Sequence, residues 1–334
     1  MNLVKNSSPI NIGIFSPSSP ASVSACTRFQ RAKAFLEQRN INIIEGSLTG
    51  KSDFYRSGTP KERAEELNEL LRNPNVHIIM STIGGTNSNS MLPYIDYEAF
   101  QSNPKIVVGY SDATAILLAL YAKTGISTYY GPALVPSFGE FEPLVNDTYQ
   151  FFEEYFLKSQ VCPYEIKMPS YWSDEPVNWL EKTVEKKLYQ NKWLTVQEGV
   201  AEGRLIGGNL NTMYGFIGTS YFPNINDGDI LLIEDSAKNI AIVEKNFAML
   251  KLHGVFEKIS GIILGKHECY DDLGTMRKPY EILLEQLDGT NIPILAEVDI
   301  CHTHPMHPIA IGKKVRLDAT AQKIYCIEKW LYIS

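Results

Sequence analysis

Ser111 lies in a sequence that is typical of an activated nucleophile. Residues 107–113 read Val-Val-Gly-Tyr-Ser-Asp-Ala, which predicts a buried strand, a sharp turn and the start of a helix. Small residues, Gly109 and Ala113, stand two positions before and two positions after the serine. A nucleophile elbow needs this pattern because larger neighbours would clash at its strained turn. The alternative is that Ser111 or Asp112 only caps the following helix.

Acyl transfer also needs two backbone donors for the oxyanion that forms on the attacked carbonyl. The amide of Asp112 directly follows the candidate nucleophile and would be the first donor. The second would be Gly85, in the Ile-Gly-Gly-Thr sequence at residues 83–86, which follows the preceding predicted strand. A glycine pair is equally consistent with an ordinary turn at a strand end, so both interpretations stay open here.

Three of the six histidines are crowded into the Cys-His-Thr-His-Pro-Met-His sequence at residues 301–307. On a strand, His302 and His304 would point to the same face and form part of a metal site. No nearby group of carboxylates or cysteines completes such a site. We therefore favour a triad in which one of the three histidines is the general base and the other two are surface or supporting groups.

Two carboxylates follow the apolar residues 230–233 and are candidates for orienting that base. Glu234 and Asp235 both stand at the end of a predicted buried strand, and either would qualify. Asp235 is also suited to cap the helix predicted from about residue 241. The chain order of nucleophile, acid and base is compatible with a catalytic triad, although triads occur in several orders.

Two domains must position these residues, because 334 residues exceed what one hydrophobic core usually supports. The first third alternates short β-branched segments with helical patterns, which predicts a parallel sheet built from βαβ units. A capping box at Thr59, Pro60 and Glu62 predicts where one helix begins. Strands are expected at residues 10–15, 41–45, 77–82 and 106–109, and helices at residues 27–38, 60–72 and 113–123.

The pattern changes beyond residue 140. Residues 140–200 show no clear period and are interpreted as a bridging, substrate-contacting region. From residue 203 onward, the sequence predicts a mixed domain that is richer in strands. Strands are expected at residues 229–233, 261–264 and 307–328, and helices at residues 241–253 and 280–287. We thus predict domains at residues 1–165 and 201–334, joined by a bridging segment at residues 166–200.

The composition predicts a soluble cytoplasmic protein. Hydrophobic residues make up 44% and charged residues 21% of the chain, as in ordinary globular proteins. The net charge of -7 argues against a nucleic acid polymer as partner. The five cysteines lack a Cys-x-x-Cys pair, which favours a reducing compartment. Residues 1–9 show no export signal, and the longest apolar stretch is far shorter than the ~20 residues of a membrane helix.

Several motifs, in order along nearly the whole chain, resemble the LD-carboxypeptidase family of serine peptidases. The motifs are Gly-Ile-Phe-Ser at 13–16, Ser-Thr-Ile-Gly-Gly-Thr-Asn-Ser-Asn-Ser at 81–90, Gly-Tyr-Ser-Asp at 109–112, Leu-Ile-Gly-Gly-Asn at 205–209, Ile-Glu-Asp-Ser at 233–236 and His-Thr at 302–303. The resemblance implies Ser111 as nucleophile, His302 as base and Glu234 as the orienting acid. It also implies an oxyanion hole at the Gly85 and Asp112 amides.

The resemblance has structural implications too. It implies an N-terminal flavodoxin-like or amidotransferase-like parallel sheet domain, a C-terminal β-rich swivelling α/β domain and a homodimer. The reaction would need no metal and no cofactor. This chain departs from the family around the base, since the family usually has glycine before the histidine and aspartate two residues after it. Here these positions are Cys301 and His304, so the surroundings of the base differ.

Two substrate classes are implied by the resemblance. Family members trim the terminal D-alanine from murein tetrapeptides, whereas an immunity branch hydrolyses the bond between an aminoacyl group and a modified nucleotide. Residues 87–90 and 171–179 resemble the immunity branch. We therefore predict a small peptide-nucleotide as substrate and a murein peptide as the alternative. An alternative function of a different class is that of a binding protein, which would sequester such a compound without cleaving it.

Three residues are predicted to contact that substrate. Trp179 would stack on a nucleobase, or else pack between the domains. Lys238 resembles a substrate-anchoring lysine and would meet a phosphate-like group, or else be a solvated residue. Asn209 resembles a polar substrate contact.

Overall fold

The computed structural model describes residues 2–3, 9–158, 161–181 and 185–333. Most of the segment in which we predicted no export signal, residues 1 and 4–8, lies outside these residues. In chain order the strands are β1 (Asn2–Leu3), β2 (Ile10–Phe15), β3 (Ile41–Glu45), β4 (Ile78–Ser81), β5 (Ile106–Gly109), β6 (Thr128–Tyr130), β7 (Tyr164–Ile166), β8 (Tyr171–Trp172), β9 (Tyr189–Gln190), β10 (Leu194–Gln197), β11 (Val200–Asn209), β12 (Ile230–Glu234), β13 (Gly261–Gly265), β14 (Ile294–Val298), β15 (Ile309–Ile311), β16 (Lys314–Asp318), β17 (Lys323–Cys326) and β18 (Tyr332–Ile333). The α-helices are α1 (Ala21–Ser24), α2 (Cys26–Glu37), α3 (Pro60–Arg72), α4 (Tyr97–Ser102), α5 (Thr114–Thr124), α6 (Leu144–Phe156), α7 (Leu210–Tyr214), α8 (Ile240–Leu252) and α9 (Pro279–Leu287).

The first sheet has the strand order β15-β6-β5-β4-β2-β3, and all its pairs are parallel except β15 with β6. The order β3-β2-β4-β5-β6 is that of a flavodoxin-like sheet, with the second strand placed outside the first. In such sheets the crevice for ligands opens at the carboxyl ends of the strands, where the strand order reverses. Here this point lies between β2 and β4, next to the turn that carries Ser111.

The second sheet has the order β10-β14-β13-β12-β11-β16-β17-β7. Strands β11 to β14 pair in parallel, and the outer pairs are antiparallel. The predicted fold class, a parallel α/β N-terminal domain followed by a β-rich C-terminal domain, is confirmed. The two sheets meet at α5, which packs against both β6 and β11. Since α5 is apolar on all sides, it is buried along most of its length.

Each sheet includes a strand from the far half of the chain. The late strand β15 pairs with β6 in the first sheet, and the early strand β7 forms the edge of the second sheet beside β17. Neither pairing was predicted. The domain boundaries proposed from the sequence remain a prediction.

The sequence signals for single elements agree with the structure in most places. Helix α3 begins at the predicted capping box, in which the Thr59 hydroxyl accepts the Glu62 amide and the Glu62 carboxylate accepts the Thr59 amide. One prediction was wrong: residues 140–200 include a regular helix, α6. Its buried residues Leu144, Thr148 and Phe151 recur at helical spacing, which is the signal we missed. Residues 307–328 form three separate strands, β15, β16 and β17. No helix in the described ranges is long and apolar enough to cross a bilayer.

Candidate functional site

The turn after β5 has the geometry of a nucleophile elbow. Ser111 has φ 59°, a left-handed conformation that is uncommon for a residue with a side chain and typical of strained functional turns. Gly109 must be small, because a Cβ atom there would lie 2.5 Å from the Ser81 hydroxyl and 3.1 Å from the Ala113 Cβ. The alternative role for this pair, capping the next helix, is wrong. Neither the short 3-10 turn at Ser111–Ala113 nor α5 has a side-chain cap.

Asp112 instead fixes the loop that follows the glycine pair. Its buried carboxylate accepts the amides of Asn87 and Ser88, both at 2.8 Å. This anchors the Asn-Ser-Asn-Ser segment, residues 87–90, beside Ser111. The backbone amide of Asp112 remains free of any acceptor within the described ranges.

The glycine pair lies directly against Ser111. A Cβ atom on Gly84 would be 2.7 Å from the Ser111 Cβ and 2.9 Å from the Asp112 nitrogen. The Gly84 carbonyl accepts the Ser19 amide at 3.1 Å. Because the C=O and N–H of a trans peptide point in opposite directions, the Gly85 N–H of the same peptide unit faces away from Ser19. Like the Asp112 amide, it donates to no acceptor in the part of the chain described.

Glu234 and His302 form a close, buried pair. The Nδ1 of His302 donates to Glu234 Oε2 at 2.5 Å, and the Glu234 side chain is fully buried. Burial opposes ionisation of Glu234, but the charge of His302 and three hydrogen bonds outweigh it and lower the pKa of that carboxyl. Burial likewise opposes the charge on His302, yet Glu234 raises the pKa of the imidazole. The ring of Tyr110 holds the imidazole edge to face, with 4.7 Å between centroids.

Glu234, and not Asp235, is the carboxylate that contacts His302. Asp235 Oδ1 accepts the Ser236 amide at 3.0 Å and the Asn209 side chain at 3.3 Å. Burial, together with the Glu234 charge, raises the pKa of Asp235 to about 6. The suggested capping role of Asp235 is wrong, since the N-cap of α8 is Asn239.

The side chain of Asn209 is occupied by contacts within the protein. Its amide nitrogen donates to Glu234 Oε1 at 3.0 Å, and its oxygen accepts the amide and the hydroxyl of Thr212 at 2.9 Å. Asn209 thereby steadies the acid and caps α7, two contacts that the sequence did not predict. Its proposed contact with substrate stays a prediction.

The three clustered histidines do not come together as metal ligands. His302 is paired with Glu234, whereas His307 lies in the core, where Nδ1 donates to the Pro308 carbonyl at 2.7 Å. Burial lowers the pKa of His304 to about 3, so this side chain is neutral at physiological pH. In the described ranges, no group of three or more histidine, cysteine or carboxylate side chains is placed to hold a metal ion.

A cavity of 490 Å³ opens on the candidate triad. Ser111 and His302 both face it, although no hydrogen bond joins them in the described structure. Such a contact is often long before substrate binds. Of the other predicted site residues, the cavity is lined by Gly85, Asp112, Trp179, Asn209 and Lys238. Lys238 Nζ donates to the Ser236 carbonyl at 3.0 Å.

An ionic cluster that the sequence did not predict supports Trp179. The Arg28 guanidinium lies 4.7 Å from the centre of the Trp179 ring. Arg28 and Lys186 both bind the Glu140 carboxylate, at 2.9 and 3.0 Å. Burial opposes this charge, but Arg28 and its neighbours lower the pKa of Glu140 to about 2. No short-range sequence pattern joins these residues. Trp179 packs partly against the core and also lines the cavity, and its stacking on a nucleobase stays a prediction.

The raised pKa of His302 predicts the pH dependence of turnover. A general base must be neutral, so activity is lost as the pH falls through the pKa of His302. Because that pKa is raised from the ordinary value of 6.5, the acidic limb of kcat/KM should lie above pH 6.5. Below that limb, log kcat/KM should fall with a slope of about one. A steady-state pH profile measures this, and a limb below pH 6.5 would contradict the assignment of His302 as the paired base.

Comparison with known proteins identifies the family. Residues 12–131 match the model of the LD-carboxypeptidase N-terminal domain, and residues 202–317 match that of the C-terminal domain. The Escherichia coli protein "Microcin C7 self-immunity protein MccF" is 52% identical over 322 residues, covering 96% of this chain and 94% of its own. A Vibrio cholerae protein named "Putative carboxypeptidase" is 53% identical over 320 residues, covering 96% of both chains.

Solved structures agree with these matches. MccF in complex with aspartyl sulfamoyl adenosine, and MccF in complex with glutamyl sulfamoyl guanosine, each superpose with a TM-score of 0.96. Both are 51% identical to this chain, and the match covers 99% of each chain. The matched family models cover more than half of the sequence, and the relatives match it almost from end to end. This chain therefore belongs to the LD-carboxypeptidase family of serine peptidases.

Proposed function

We propose that this enzyme hydrolyses the amide-type bond between an aminoacyl group and a modified nucleotide, and thereby detoxifies compounds of the microcin C type. The observation that carries the proposal is the cavity itself. It places an aromatic ring, Trp179, and a cationic side chain, Lys238, around the same space as Ser111. Such a cavity can receive the three parts of the substrate, which are a nucleobase, a phosphate-like linker and an acyl carbonyl. The MccF complexes with aminoacyl sulfamoyl nucleosides support this assignment.

The chemistry follows from the positions of the polar groups. Ser111 Oγ attacks the acyl carbonyl while Nε2 of His302 takes its proton. The amides of Gly85 and Asp112 stabilise the oxyanion. The tetrahedral intermediate collapses, the C–N bond breaks, and His302 returns the proton to the leaving nitrogen. Water, deprotonated by His302, then hydrolyses the acyl-enzyme ester and releases the amino acid. No metal or cofactor takes part in these steps.

Nucleotide binding is assigned to Trp179 and Lys238. Stacking of a base on an aromatic side chain contributes ~1 to 3 kcal/mol. Arg28 and the Glu140 cluster hold the Trp179 ring, so little conformational entropy is lost when a base stacks on it. Lys238 offers an ammonium group for a phosphate or sulfamoyl oxygen.

Removal of the Trp179 ring should weaken nucleotide binding specifically. We expect Trp179→Ala to raise KM for aspartyl sulfamoyl adenosine roughly 5- to 150-fold, the equivalent of one stacked base, with a smaller change in kcat. The matched control is Trp172→Ala. Trp172 lines a different cavity and lies over Lys266. Equal KM values for the two variants would contradict the nucleobase assignment.

The test of the proposed function is a paired assay by mass spectrometry. Purified enzyme is offered aspartyl sulfamoyl adenosine in one tube and a murein LD-tetrapeptide in the other. Release of aspartate only from the first supports the proposal. Release of D-alanine only from the second identifies a cell-wall recycling carboxypeptidase, the alternative that the family name favours. Tight binding of the nucleotide without turnover would instead support a sequestering protein.

We also propose that the enzyme works in the cytoplasm as a homodimer. The cysteines in the described residues are all free, which is compatible with a reducing compartment. The resemblance to the LD-carboxypeptidase family also implies a homodimer. Light scattering during gel filtration measures the mass in solution, and a mass of 37.6 kDa would identify a monomer.

A further inference from the structure

Tyr130 occupies the point where the two sheets meet at the candidate triad. It is the last residue of β6 and lies opposite Gly109 of β5, two residues before the nucleophile. Its side chain is fully buried and reaches across to the end of β12 in the second sheet. Sequence reasoning did not single it out, because a tyrosine in a short buried strand looks like an ordinary core residue.

The hydroxyl of Tyr130 joins two members of the triad. It lies 2.5 Å from Glu234 Oε1, and it accepts the backbone N–H of Ser111 at 3.3 Å. An ionised carboxylate can only accept, so the hydroxyl hydrogen is donated to Glu234. Burial, followed by the charge of Glu234, raises the pKa of Tyr130 well above its ordinary value. The hydroxyl therefore keeps its proton.

Close packing fixes the ring in this position. A Cβ atom on Gly208 would lie 3.1 Å from the Tyr130 ring and 2.8 Å from Thr114. Glu234 is confined in the same way, since a Cβ atom on Gly265 would lie 2.8 Å from the Cβ atom of Glu234. The phenol therefore has little freedom to leave either partner.

We propose that Tyr130 is a positioning residue that tunes the basicity of His302 through Glu234 and holds the strained turn of Ser111 in register with that pair. The inference rests on the proposed function, in which these three residues act together. The Tyr130 hydrogen bond withdraws charge from Glu234, which would otherwise stabilise the imidazolium more strongly. Its second contact satisfies the amide of a residue that is held in an unfavourable backbone conformation.

The test compares Tyr130→Phe with Tyr129→Phe. Tyr129 is the neighbouring residue on β6, is equally buried, and its hydroxyl makes two hydrogen bonds with the backbone of Leu331, at 2.9 and 3.2 Å, away from the triad. The control therefore also loses buried hydrogen bonds. The pKa of His302 is read from the NMR titration of its ring Cε1–H signal, which is assigned by its loss in His302→Gln.

In Tyr130→Phe we expect the pKa of His302 to rise by about half to one pH unit, because a hydrogen bond to a charged group is lost. Tyr129→Phe should leave that pKa unchanged. An unchanged pKa in Tyr130→Phe overturns the inference. This titration needs no substrate, so its result is independent of whether the proposed reaction is found.

Kinetics supply a second readout. We expect kcat of Tyr130→Phe to fall roughly 10- to 100-fold with little change in KM, because the nucleophile is less well placed. The acidic limb of kcat/KM should move up with the pKa of His302. A lower kcat with an unchanged acidic limb of kcat/KM would show that Tyr130 acts only by packing. That result would overturn the proposed coupling between Tyr130 and His302. If Tyr130→Phe does not fold, 3-fluorotyrosine at position 130 keeps the hydroxyl and makes it a stronger donor. That substitution should lower the pKa of His302, and an increase would contradict the inference.

Discussion

Ser111→Ala is expected to lower kcat/KM for the nucleotide substrate by at least about 10⁴-fold, because loss of a serine nucleophile removes covalent catalysis altogether. We expect the variant to keep its folded structure. Alanine, like serine, has a Cβ atom, so the cost of φ 59° at this position is unchanged. In the described structure the Ser111 hydroxyl also makes no hydrogen bond whose loss would lower the stability of the fold. Progress curves at high enzyme concentration, read by mass spectrometry, measure the residual rate.

Binding measurements distinguish loss of catalysis in Ser111→Ala from loss of the folded structure. Ser111→Ala should still bind aspartyl sulfamoyl adenosine in calorimetry, because Trp179 and Lys238 are untouched. Its thermal midpoint should stay within a few degrees of that of the parent. Full activity in this variant would remove the acyl-enzyme mechanism, whereas undiminished protection of cells by an inactive variant would point to sequestration.

Glu234→Gln is expected to lower kcat by about 10⁴-fold, comparable with the loss when a triad aspartate is replaced by its amide. The amide cannot compensate the imidazolium charge. It also offers a donor where His302 needs an acceptor, which favours the wrong tautomer of the base. The close approach of His302 Nδ1 to Glu234 Oε2 makes the enzyme sensitive to this change. Single-turnover measurements separate the chemical step from binding.

Asp235→Asn is the matched control for this experiment. The two carboxylates are adjacent, and both are almost fully buried. Asp235 does not contact the base, and its carboxylate oxygen Oδ1 accepts two hydrogen bonds that an asparagine oxygen can also accept. We therefore expect a loss of less than about 10-fold at neutral pH. If Asp235→Asn proved the more damaging change, the orienting acid would have to be reassigned to Asp235.

The local parts of this site were predictable because each depends on a few consecutive residues. The elbow at Ser111 needs small neighbours, and the sequence displays them at fixed spacing. The carboxylate at position 234 ends an apolar segment, and buried strands deliver their terminal residues to a shared edge. Spacing left Glu234 and Asp235 open as the orienting acid, and the family resemblance selected Glu234, the carboxylate that the structure pairs with His302.

The supporting contacts were not predictable, because they join residues that are far apart in sequence. Arg28 belongs to an ordinary helix, and only folding brings it beside Glu140 and Trp179. Tyr130 and Asn209 meet Glu234 through the contact of two sheets. No pattern within one segment encodes the distance between two sheets. The role of Asn209 shows the consequence, since its motif was recognised while its contact with the acid was not.

The reciprocal placement of β7 and β15 affects any attempt to dissect the protein. A fragment that ends at residue 166 would expose the edge of β6 that β15 normally covers, and it would carry β7 without β17. Unpaired edges of this kind promote association with other chains. The complementary fragment would lack the outer strand of its own sheet. Ser111 and His302 therefore lie in two halves of the chain that each contribute a strand to the sheet of the other. Gene fusions or split reporters are better inserted at exposed loops than at the boundary between the matched family regions.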